Sequence, residues 1–114
     1  MTTQQERTSL HVDLMCKAAR QAIEYVSGMD QIAFVQDPKT LDAVIMKLLV
    51  IGELASKVLE EDAPFTKANP DVPWLKMKGM RNRMAHGYFE LDHEVVWDTV
   101  KNAVPELIEA LDKL

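Results

Sequence analysis

The chain has one cysteine, Cys16. An internal disulfide is therefore excluded, and no Cys/His run has the spacing of a metal site. Cys16 is expected to be inert packing in the first helix. Glycine and proline are scarce, at four and five of 114 residues. β-branched runs are few as well, which disfavours sheet and leaves helix as the default. Aromatics make up only 6% of the chain. No apolar run approaches the ~20 residues of a membrane span, and MTTQQERTSLHVD at the N-terminus lacks the apolar centre of a secretion signal. These absences predict a soluble, cytoplasmic chain with no membrane partner.

What is present is ample apolar material, 47% of 114 residues. That suffices for one ordered domain over residues 1–114, with polar residues 1–8 frayed. The formal net charge of −5 at first argues against nucleic acid. Its distribution argues the other way. Lys67, Lys76, Lys78, Arg81 and Arg83 face only Asp71 within residues 67–86, so this window carries +4 and the remainder −9. A basic segment on an acidic body can hold a phosphate backbone locally; a solvated helix face is the plainer reading.

Periodicity places four long helices. Met15, Ala18, Ala19, Ala22, Ile23, Val26 and Met29 step by three and four, giving a first helix over about 10–29. Asp30 can cap a short apolar piece, 32–35. Asp37-Pro38 signals the start of a second long helix reaching Glu61. Its stripe runs from Leu41 to Leu59, and Leu49 and Val50 widen it. Pro64, Pro70 and Pro73 mark an extended connection. Trp74 opens a third helix, presenting Trp74, Met77, Met84 and, at the edge, Met80 to the core and stopping at a left-handed Gly87. Asp92 caps a fourth, lined by Val95, Val96, Val100, Val104, Leu107, Ile108 and Leu111 and kinked at Pro105. Short loops make neighbours antiparallel: an all-α up-down bundle of four main helices plus a short extra one. Gly52 and Gly79 allow a close backbone approach or are simply tolerated, and Glu53 reads as a surface carboxylate.

One stretch does not serve a core. Met80 to Phe89 gathers Arg81, Arg83, His86 and Tyr88 in ten residues. An imidazole accepts and returns protons near neutrality, and a guanidinium grips phosphate with paired hydrogen bonds. Together they suffice for metal-independent cleavage of RNA. The histidine takes the 2′-hydroxyl proton, and the arginine stabilises charge on the phosphoryl oxygens. Arg81 and His86 lie about 140° apart on an ideal helix, so convergence needs fraying at Gly87 or a second copy across a two-fold axis. A histidine at a helix C-terminus is also a simple dipole partner. His11 and His93 read as surface residues, and Tyr25 as packing. Lys76, Lys78 and Arg83 are candidate RNA contacts.

Arg81-x4-His86-x-Tyr88 resembles the Arg-x4–6-His-x-Tyr signature of the HEPN superfamily, in particular HepT-like (DUF86) toxins. Ile51-Gly52-Glu53, Val72-Pro73-Trp74 and Val96-Trp97-Asp98-Thr99-Val100 are similar to that family too, and the likeness spans about residues 10–114. The resemblance implies an all-α HEPN bundle, a homodimer with a shared cleft, and metal-independent endoribonuclease activity needing no cofactor. Arg81 and His86 match the catalytic pair, and Asn82 a site-supporting position. The implied partner is a minimal nucleotidyltransferase antitoxin, which uses ATP to transfer AMP to the tyrosine matching Tyr88. Two other readings stand beside this one: a non-catalytic nucleotide- or substrate-binding subunit of a nucleotidyltransferase complex, and a plain dimerisation module.

Overall fold

Helix α1 spans Gln4–Tyr25. The computed structural model describes residues 2–87 and 90–114. The segment expected to fray is instead helical from Gln4. Thr3 caps α1, its Oγ1 accepting from Glu6 N at 3.1 Å, and Thr3-x-x-Glu6 is the residue pattern of a capping box. Thr8 is buried and donates to Asp62 Oδ2 at 2.7 Å. Gly28, at φ +79°, turns the chain after α1. Asp30 caps α2 (Gln31–Val35), and Asp37 caps α3 (Pro38–Glu61) with Pro38 in the first turn.

Residues 63–73 are not wholly extended, as the prolines had implied. Ala63–Ala68 forms α4, because Asp62 both ends α3 and caps the new helix through Phe65 N. Pro64 sits in the first turn, where it costs no hydrogen bond. Helix α5 is Trp74–His86. Its end at Gly87 was foreseen, but the conformation was not. Gly87 has φ −130° and closes the last turn by donating to Arg83 O at 2.8 Å.

Asp92 caps α6 (His93–Asp98), which leads through a π-helical turn, Thr99–Ala103, into α7 (Val104–Asp112). Pro105 explains the wide turn. It offers Lys101 O no N–H, and the ladder shifts so that Val104 N–H bonds to Thr99 O. The apolar stripe of this helix holds with one exception, since Val95 is 60% exposed.

The architecture is all-α, and every regular element among the described residues is helical. α3 is the central post: α1 packs on one side, α5 on the other, and α7 lies on α1. The buried stripe of α3 (Leu41, Val44, Leu48, Ile51, Ala55, Val58) fills the middle. Phe34 of α2 meets Trp97 of α6 at 5.2 Å, tying the short helices to the end of the bundle. Arg20 pairs with Asp112 at 2.8 Å, fastening α1 to α7. Cys16 is half-buried rather than buried, with Sγ 3.7 Å from Asp112 Oδ1. Among the described residues no helix is long and apolar enough to cross a membrane.

The two candidate glycines separate here. A Cβ on Gly52 would strike Arg81 Cβ and lie 2.7 Å from the backbone oxygen of Met77. On Gly79 it would meet only the end of Arg83, at 3.6 Å. Alanine improves a helix interior by ~1 kcal/mol, whereas overpacking costs about 1–3 kcal/mol. Gly52→Ala should therefore lower the melting temperature and Gly79→Ala should not, as thermal unfolding followed by circular dichroism would show. Acid provides a second check. The Thr40 backbone N–H, then its hydroxyl, holds the Asp37 carboxylate below its ordinary 3.8. A depressed carboxylate stabilises the fold above its unfolded pKa and loses that effect as pH falls through the folded value. The stability gap between wild type and Asp37→Ala should be full at neutral pH and close below about pH 4.

Candidate active site

Arg81 lies on the face of α5 that packs against α3. The series Trp74, Met77, Arg81, Met84 advances by three, four and three residues, so all four point one way. Three are buried apolar side chains; the fourth carries a charge. Gly52 makes this arrangement possible by letting the first side-chain carbon of Arg81 sit against the α3 backbone. The side chain then runs along α3. Its Nη2 donates to Ser56 Oγ at 3.0 Å, and its Nε lies 3.5 Å from Glu53 Oε2. That second distance is an ion pair without a hydrogen bond, and Nε is buried with no hydrogen-bond partner. The Arg81 side chain is 26% exposed, so part of the guanidinium still meets water.

Sequence reasoning missed Ser56 and treated Glu53 as an ordinary surface carboxylate. Both lie within one turn of Gly52, and Ser56 is 3% exposed. A serine inside an apolar helical stripe, one turn beyond a glycine, was the available signal.

His86 is exposed and is the last residue of α5. The helix does not fray before it, since the Gly87–Arg83 hydrogen bond holds the turn. Within one chain, Arg81 and His86 therefore keep their angular separation. Arg81 faces α3, while His86 lines a cleft of about 630 Å³ between α5 and the α6 region. Lys76, Met80 and Arg83 share that cleft, and Glu90 and Asp92 supply negative charge at its rim. Beneath it, an apolar recess of about 110 Å³ opens between α3, α5 and the π-helical turn, lined by Leu48, Ile51, Met77, Met80, Val104 and Leu107. Two of the three candidate RNA contacts, Lys76 and Arg83, thus line the same cleft as His86. Lys78 does not line this cleft, being about 200° from Lys76 around the helix. Asn82 is exposed on α5. Tyr88 lies outside the described residues. His11 is half-buried rather than superficial, and its Nδ1 is buried without a partner.

Fold and motif together are those of an all-α, HEPN-like bundle. The family described as "Ribonuclease HepT-like" matches residues 15–114, and the chain belongs to that family. A "Putative RNase" of Methanocaldococcus jannaschii is 40% identical over 92 residues, covering 81% of this chain and 74% of the relative. A "Probable ribonuclease HepT" of Thermococcus cleftensis is 43% identical over 81 residues, 71% of each chain. A "Putative RNase" of Caldanaerobacter subterraneus is 34% identical over 85 residues, covering 75% of this chain and 73% of the relative. No solved structure matches significantly.

The Arg81–Ser56 contact predicts a thermodynamic cycle. Arg81→Met keeps the stem packed but leaves the buried Ser56 hydroxyl without its donor, at a cost of about 1–3 kcal/mol. Adding Ser56→Ala should return part of that stability. Denaturant titration of the two single variants and the double variant measures the coupling.

Proposed function

We propose that the chain is an endoribonuclease that cuts single-stranded RNA without a metal. His86 removes the proton from a ribose 2′-hydroxyl. The 2′-oxygen attacks the adjacent phosphorus, the bond to the 5′-oxygen breaks, and the protonated imidazole returns its proton to that leaving oxygen. Arg81 stabilises the added charge on the phosphoryl oxygens, and Asn82 supports the site. The products are a 2′,3′-cyclic phosphate and a 5′-hydroxyl. DNA, lacking the 2′-hydroxyl, is not cut.

The observation that carries this reading is Arg81 itself. A cation occupies a helix-contact position where leucine or methionine would pack without desolvation cost, in a chain of the HepT-like family. Such a placement is expensive unless the charge has work outside the core. Because Arg81 and His86 diverge within one chain, the working unit is a homodimer in which two α5 helices share the cleft. In the cell the enzyme is a toxin. Its antitoxin is a minimal nucleotidyltransferase, which transfers AMP from ATP to Tyr88. Added bulk and negative charge two residues from His86 oppose an incoming phosphate backbone.

The divergence of the two side chains also favours a second reading, a non-catalytic subunit that presents nucleotide or substrate to a nucleotidyltransferase. One assay separates them. With excess chelator, the protein should cleave a single-stranded oligoribonucleotide and spare its all-deoxy counterpart. His86→Ala should lose about 100-fold or more of the rate and remain dimeric by light scattering. Undiminished cutting by His86→Ala, or a strict need for a divalent cation, would reject the mechanism. Salt dependence tests the contacts: removing Lys76 or Arg83 should each lower the slope of log affinity against log salt by about 0.7, the single-strand value, with Lys78→Gln nearer zero.

A further inference from the structure

We infer that Glu53 and Ser56 of α3 are positioning residues that hold the Arg81 guanidinium by one edge, so that its opposite end is presented to a phosphate. The inference rests on the ribonuclease reading above and assigns two residues that the Arg-x4-His motif does not contain.

The geometry supports it in three steps. Gly52 fixes where the side chain starts, because Arg81 Cβ sits where any larger residue would put its own. Ser56, one turn further along α3 and 3% exposed, fixes where it ends by accepting from Nη2 at 3.0 Å. Glu53, between them in sequence, lies 3.5 Å from Nε. Nε and Nη2 share one edge of the guanidinium plane, so both partners engage the same edge. Among the described residues, Nη1 has no hydrogen-bond partner. Nη1 and the second hydrogen of Nη2 form the outer end of the fork, which suits two phosphate oxygens.

A structural ion pair is the competing account, and it predicts something different. Exposed pairs contribute little stability, and the Glu53 side chain is 53% exposed. If the pair only braced α3 against α5, its loss would shift melting and leave chemistry alone. As a positioning residue it acts on turnover. It also repels the incoming phosphate, so its removal should not weaken RNA binding.

The test measures kcat and KM on a single-stranded oligoribonucleotide for wild type, Glu53→Gln, Glu53→Asp, Ser56→Ala and Arg81→Ala, with melting temperatures recorded alongside. Glu60→Gln on the same helix removes a charge of the same sign as a control. The expected result is kcat lowered about 10- to 100-fold in Glu53→Gln and Ser56→Ala, with KM unchanged or lower. Glu53→Asp should keep part of the rate, and Glu60→Gln should match wild type. If Glu53→Gln folds poorly, Ser56→Ala and Glu53→Asp carry the comparison. Variants cutting at the wild-type rate, or losing activity only in step with melting temperature, would overturn the inference and leave the ribonuclease intact. Cutting by neither wild type nor Arg81→Ala would sink both.

Discussion

The approach of α5 to α3 at Gly52 is the constraint from which the rest follows. Two helices packed this closely leave no room for a side chain on one of them, and the missing side chain admits the stem of Arg81. The core on either side is conventional, with Met77 and Met84 on α5 and Leu48, Ile51 and Ala55 on α3. The charge is thus seated in a stripe otherwise made of hydrocarbon. A buried cation without compensation is costly; here a hydroxyl and a carboxylate meet one edge while a quarter of the side chain stays in water.

This arrangement divides α5 into faces with separate tasks. One seats Arg81 on α3. Another turns Lys76, Arg83 and His86 toward the cleft beside α6. The chain is acidic overall, yet this helix carries Lys76, Lys78, Arg81 and Arg83 and no carboxylate. A helix held on one side and open on the other can present cations at fixed positions without relying on loop order.

Much of the fold was legible in the sequence, because its signals were local. Asp30 and Asp92 cap the helices they were expected to cap, and α3 starts at the Asp37-Pro38 signal. The stripe of α3 is read directly from steps of three and four. The misreadings have physical causes. Polar residues 1–8 looked frayed because the start of α1 gains its order from the Thr3 cap and from Thr8, whose partner Asp62 is 54 residues away. The prolines of 63–73 looked extended because Pro64 is harmless in a first turn. At the site, the motif arginine and histidine were visible. What orients the arginine was not, since Glu53 and Ser56 belong to another helix and only packing brings them near.

The π-helical turn at Thr99–Ala103 has a consequence for chain length. Buried residues along this helix run Val96, Val100, Val104, Leu107, Leu111, so two spacings of four fall in succession. In a regular helix Val104 would lie about 80° around from Val96, drifting toward the edge of the apolar face. The wide turn absorbs one surplus residue and restores the phase. Removing a single residue there would regularise the backbone and keep Leu107 and Leu111 facing inward, whereas straightening the turn at full length would rotate everything beyond it by about 100°, taking both out of the core. The irregularity is thus a phase corrector, and the packing of α7 on α1 is registered by it.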